Sequence, residues 1–250
     1  SGTVSMSGQH NTGATYALSL SGSTSITAGT GVTLESLNDN TGTIALLSSG
    51  GIDGGSGTVL MRAANYAFGG ADRTITTTGV LTIEPDADEN SFASSFDNQY
   101  LNPVSVTGLT LGKSSNASAI TLSRAISLSG PVSIYGGSID VNANITANSG
   151  NILLDADTGS TLNQSSTGIL LDDVITIETV TSGNLTLIGR SGDTGSGFDG
   201  IDASSANTTT LRSAGNLTLQ GYSYAASGSG RGVDLNNDVI AASGTVSMTG

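Results

Sequence analysis

The chain has 250 residues, 36 of them Gly, with no Cys, no Trp, 11% charged residues and a formal net charge of −13. Lys113 and six Arg face 20 acids. There is therefore no basic face to displace counterions from nucleic acid, and anionic membrane surfaces are disfavoured. Lack of Cys excludes disulfides and thiolate chemistry, and no run reaches the ~18 apolar residues of a membrane span.

The first eight residues read SGTVSMSG and the last eight SGTVSMTG, seven of eight identical at an offset of 243 − 1 = 242. This predicts one period, or slightly more, of a tandem array, with neighbouring repeats as end-to-end partners. Any export signal is expected outside this stretch. His10, the single histidine, lies in a Gln9-His-Asn-Thr-Gly corner. Short apolar alternations follow at Leu18–Leu20, Ile26, Val32–Leu34, Ile44–Leu46, Val59–Met61, Ile75 and Val80–Ile83. Period two predicts strands with one buried face.

Residues 84–103 break the pattern. They carry two of the three Pro and several acids, with Phe92, Phe96 and Tyr100 at i, i+4 and i+8. This predicts a large irregular loop, with room for a helical turn. Its aromatics either cover a strand face or offer a lateral contact surface at Phe92, Phe96 and Tyr100.

From Ala125 the rhythm is clearest: Ile126/Leu128, Val132/Ile134, Ile139/Val141, Ile145/Ala147 and Ile152/Leu154, each pair six or seven residues after the last. Gly, Asn and Ser between them supply tight corners. Farther on, Gly183-Asn-Leu-Thr-Leu-Ile-Gly returns 32 residues later at Gly215 and 29 after that at Gly244. Gly200-Ile-Asp returns as Gly232-Val-Asp, and the Gly/Ser-rich stretches 189–199 and 221–231 read as protruding loops. Three-residue strands cannot bury an apolar face alone. They can if the chain winds one way and each strand pairs with its counterpart one turn later. Three segments make roughly 20 residues per turn, a solenoid period. The predicted fold is all-β: a parallel β-helix with about three short strands per coil and loop insertions, residues 1–250 forming a single module. At ~4.8 Å per rung this gives about 11 rungs and a rod of roughly 50 Å.

The Gly215-Asn-Leu-Thr-Leu-Gln-Gly and Gly244-Thr-Val-Ser-Met-Thr-Gly strands, the Gly232-Val-Asp-Leu-Asn-Asn-Asp-Val-Ile-Ala-Ala-Ser-Gly stretch and the Ser138–Asp157 run resemble large secreted adhesins of the filamentous haemagglutinin type. The likeness covers most of the chain outside 84–103. It implies a right-handed β-helix exported by two-partner secretion. It also implies an extracellular place on a bacterial cell surface, in attachment, cell–cell contact or biofilm. Partners would be cell-surface glycans or proteins, or lateral fibre neighbours. The family's secretion domain is not recognisable here, and no binding residue carries over.

Chemistry has few candidates. A β-helical polysaccharide lyase or glycoside hydrolase is the alternative function. A glycosidase needs two carboxyls about 5–9.5 Å apart. Asp172-Asp173 would diverge on a regular strand, whereas Asp155 and Asp157 share a face. Of the potential lyase bases, Lys113 has no acid cluster nearby and Arg124 sits in an ordinary strand-edge context, and no Ser sits in a nucleophile elbow. With no catalytic cluster, the chain is expected not to be an enzyme. One His and no Cys leave no zinc or copper site. No cofactor is expected; structural calcium is the one exception considered, since Gly195-Ser-Gly-Phe-Asp-Gly-Ile partly matches a Ca²⁺-binding nonapeptide and Gly50–Gly57 echoes it. Sequons at Asn116, Asn144, Asn163, Asn184, Asn207 and Asn216 are expected from composition, and those at strand starts suggest Asn side chains bonding their own backbone. The threonines at 74, 76, 78 and 208–210 are too scattered for a flat ice-like binding face.

Overall fold

The computed structural model describes residues 2–9, 16–37, 42–47, 50–69, 73–86, 89–99, 101–102, 105–156, 166–194, 196–203, 208–224, 227–236 and 238–250. Among these there is no helix, and every strand pairing is parallel. The chain separates into two compact units, Ser1–Lys113 and Ser114–Gly250.

In the first unit, Val4–Gln9, Val32–Leu37, Val59–Arg62, Val80–Glu84 and Gly108–Leu111 follow one another across a parallel ladder. Val32, Val59, Leu81 and Leu109 stand in one inward column, and Leu34, Met61, Ile83 and Leu111 in the next. All eight are at most 2% exposed. Leu18–Leu20, Thr43–Leu46 and Asn65–Phe68 form a second parallel sheet; Ile26–Thr27, Ile52–Asp53, Arg73–Thr76 and Leu101–Asn102 form a third. Between Val4 and Val80 the chain visits the three sheets in the same order on each pass, as a parallel β-helix would require.

The expected irregular stretch at 84–103 is partly structured. Glu84 ends a strand, Phe96–Asp97 is extended, and Leu101–Asn102 pairs with Arg73 and Thr74. No helical turn occurs in described residues 89–99.

The second unit repeats the plan more regularly. Val132–Gly136, Ile152–Ala156, Leu185–Arg190, Leu217–Tyr222 and Val246–Thr249 make its longest ladder. All ten apolar residues of the i, i+2 pairs between Ile126 and Leu154 are buried. The repeats 32 and 29 residues apart are successive strands of that ladder, with Leu185 opposite Leu217 and Leu217 opposite Val246. Ile201 likewise faces Val233. A sequence repeat here is a structural layer. Each aliphatic side chain fully withdrawn from water contributes about 1.5–3 kcal/mol, which three-residue strands cannot gather singly.

Corners rest on two devices. The Asn184 amide donates to Asn151 Oδ1 at 2.8 Å, Asn216 N to Asn184 Oδ1 at 2.8 Å, and Thr245 N to Asn216 Oδ1 at 2.9 Å. These side chains bond the next layer's backbone and not their own, extending the ladder where the main chain turns out of the sheet. Asn144 does the same for Thr176 N at 2.8 Å. At a second corner, glycines let backbones touch: a Cβ on Gly200 would meet Tyr222 N at 2.3 Å and Gly232 O at 2.6 Å. Gly200→Ala therefore forces main chain apart. It should cost on the order of 2–4 kcal/mol in urea unfolding, against a few tenths for a typical exposed substitution.

Candidate functional site

Phe92 and Phe96 are both 4% exposed. They stack at 5.5 Å on each other and meet Tyr66 edge-on at 5.8 Å each; Phe96 also meets Phe68 at 5.9 Å. Such pairs add about 0.5–1.5 kcal/mol beyond area burial. The Tyr66 hydroxyl lies between the carbonyls of Met61 and Glu84, at 2.8 and 2.9 Å, and burial drives its pKa well above the ordinary phenol value. Ala93 N donates to Ala64 O at 2.8 Å, and Lys113 Nζ donates to the Asp86 and Glu89 carbonyls. The loop is thereby tied over the strand Asn65–Phe68, and both Phe rings face inward, unavailable for lateral contact. Tyr100 lies outside the described residues. Phe96→Ala should lower stability by about 3–5 kcal/mol in denaturant titration.

The other residues singled out in the sequence lie at separate places, so far as they are among the described residues. His10, Asp157, Asn163 and Asn207 lie outside the described residues. Asp155 pairs with Arg190 at 3.0 Å; burial raises its pKa while the guanidinium pulls it back. Asp172 and Asp173 are exposed at a corner, where Asp173 accepts from Val174 N. Arg124 is half-buried in the turn before Ile126–Leu128. Asn116 is fully buried, donating to Tyr135 O at 2.9 Å, so that sequon is sealed in the fold. Asp53 Oδ1 closes a turn onto Gly55 N at 2.9 Å.

Functional groups do gather at one corner of the second unit. Asp199, from the calcium-like heptad, meets Asp202 and Asp234 with carboxylate oxygens all within 4.8 Å of one another. Asp202 and Asp234 face each other across the ladder, so the Gly-Ile-Asp and Gly-Val-Asp echo was the signal for their convergence. Asp199 is 7% exposed and accepts the Arg231 amide, while the Arg231 guanidinium pairs with Asp234. Three carboxylates suit a hard cation such as Ca²⁺, but here Arg231 already supplies a positive charge to one and an N–H to another. The arrangement compensates itself in part. Gly195 of the heptad lies outside the described residues.

Burial, then the neighbouring Asp202 and Asp234, push the Asp199 pKa up against the opposing Arg231 amide and charge. A raised folded pKa means the native state holds this proton more tightly than the unfolded chain. Its contribution to stability therefore falls as pH rises from the ordinary carboxylate value through the raised one. Asp199→Asn keeps an acceptor for Arg231 N–H without the charge. Thermal unfolding between about pH 3 and pH 7 should show the variant losing part of that decline and gaining on wild type toward neutrality.

The same corner carries Tyr222 and Tyr224, exposed by 36% and 41%, their rings 6.4 Å apart and within 19° of parallel. The Arg190 guanidinium sits 5.6 Å over the Tyr222 ring. Tyr224 N donates to Ser191 Oγ at 2.9 Å, and Ser223 Oγ to Phe198 O at 2.8 Å. Sequence reading passed over both tyrosines because strand periodicity does not report which outward residues a loop leaves bare.

Comparison with protein-family models, with curated proteins and with solved structures finds no match to this chain.

Proposed function

We propose that this chain is a structural and adhesive repeat of a very large secreted or surface-anchored fibrous protein of the filamentous haemagglutinin type. In this reading the parallel sheets are the walls of a right-handed β-helix, and the molecule works by length and stiffness at a bacterial cell surface. The observation that carries it is the identity of sequence repeat and ladder step: Leu185, Leu217 and Val246 are successive layers in one register. A sequence that adds layers without altering register can be extended indefinitely, which a spacer needs and a catalyst does not.

End-to-end stacking follows from the same reading. Val246 and Met248, 42% and 47% exposed on the outer strand Val246–Thr249, are the surface a following repeat would cover; Met6, 36% exposed on Val4–Gln9, is the counterpart. An open edge with apolar side chains invites another strand. Cell-surface glycans or proteins are the contacts proposed for the fibre's flanks, with attachment or cell–cell contact as the outcome.

Proteins carrying one, two and four tandem copies of the chain test this by negative-stain electron microscopy. The expected result is rods of constant width lengthening by about 50 Å per copy. Particles that thicken as copies are added, or separate into independent globules, overturn the fibre.

A further inference from the structure

Tyr222 and Tyr224 are the exposed aromatic rings among the described residues. Tyr66, half-buried in the first unit, has its hydroxyl engaged by two carbonyls. By contrast, neither the Tyr222 nor the Tyr224 hydroxyl has a hydrogen-bond partner among the described residues. Arg190 uses Nη1 for Asp155 Oδ1 at 3.0 Å and for Ala156 O at 3.3 Å. Its Nε–H and both Nη2–H donors are unengaged among the described residues. Ring surface, two phenols and three guanidinium donors thus share one small patch.

We propose that Tyr222, Tyr224 and Arg190 form a binding platform for a neutral polysaccharide, a proposal that rests on the adhesive reading above and assigns it a contact. A pyranose has an apolar C–H face and a rim of hydroxyls. The C–H face matches the electron-rich face of a tyrosine ring, while the rim matches phenol and guanidinium groups held beside it.

Charge selects a neutral ligand over an acidic one. Asp155 already balances Arg190, the adjacent corner holds Asp199, Asp202 and Asp234, and the chain carries a net −13. A uronate or sulfated sugar would approach a repulsive field for one cation that is already paired. Size selects a sugar over a protein: two rings and a guanidinium span one or two sugar units, well short of the roughly 800 Å² a protein partner covers on each side.

The platform is also pre-shaped. Arg190 and Tyr222 are opposite residues in the ladder, Ser191 Oγ accepts from the Tyr224 backbone N–H, and the Ser223 hydroxyl donates to the Phe198 carbonyl. Binding orders little that is not already ordered, which favours retention of affinity at a small contact.

Calorimetry and a glycan array with the 250-residue protein provide the test. The probes are cello-, xylo-, manno- and laminari-oligosaccharides, with oligogalacturonate as the acidic comparison. The expected result is binding to at least one neutral series and none to oligogalacturonate. Affinity should fall about tenfold or more in Tyr224→Ala, a residue outside the strands, with the melting temperature unchanged. Tyr222→Phe, which keeps the ring, should lose less than Tyr222→Ala. No neutral series bound, binding confined to oligogalacturonate, or affinity undiminished in Tyr222→Ala and Tyr224→Ala each overturns the platform. Rod formation by the tandem copies is read separately, so a fibre without sugar binding refutes this proposal and leaves the fibre standing.

Discussion

Parallel pairing, in a register broken among the described strands only by a bulge between Ala147 and Ser149, is the constraint on which everything else in this molecule depends. Strands of two to seven residues have too little surface to persist alone. Each is held by its successor, whose aliphatic residues continue the same inward column: Val132, Ile152, Leu185, Leu217 and Val246 are one such line. A slip of one residue would turn Val132, Ile152, Leu185 and Leu217, all fully buried, toward water. Register is therefore fixed at the corners as well as in the strands. There the asparagine carboxamides carry the hydrogen-bond ladder past the strand ends, and glycines let neighbouring segments close to backbone contact.

The strands were legible because aliphatics alternate with Ser, Thr and Asn so regularly that little but period two fits. Ile126/Leu128 through Ile152/Leu154 are all strand residues and all buried. The spacing of the Gly-Asn-Leu-Thr-Leu units likewise foretold which strands would be neighbours. What could not be read was direction at irregular places. Phe92 and Phe96 sit in a loop without period, and only the carbonyls that accept from Lys113 and the partner rings Tyr66 and Phe68 decide that they turn inward. The carboxamides were foreseen at strand starts, but their bonding to the following layer is a property of stacking that no single layer's sequence contains.

The corner around Asp199 shows the same limit from the functional side. Asp199 was visible as part of a calcium-like heptad, and the Gly-Ile-Asp and Gly-Val-Asp echo placed Asp202 and Asp234 in line. Nothing in the sequence announced that Arg231 would turn its amide to one carboxylate and its guanidinium to another. Nor did composition suggest that, in a chain with so few aromatics, two tyrosines would stand uncovered beside the paired guanidinium of Arg190.

The step between Leu185 and Leu217 has a mechanical corollary. In a parallel ladder the hydrogen bonds lie along the stacking direction, so tension applied that way loads one interface after another in series instead of shearing many at once. Peeling away that single layer frees 32 residues, or about 110 Å of extended chain at roughly 3.4 Å per residue. No disulfide limits the yield, because the chain has no cysteine. A ladder loaded in that direction would give way one strand interface at a time, each step setting free a fixed length of chain.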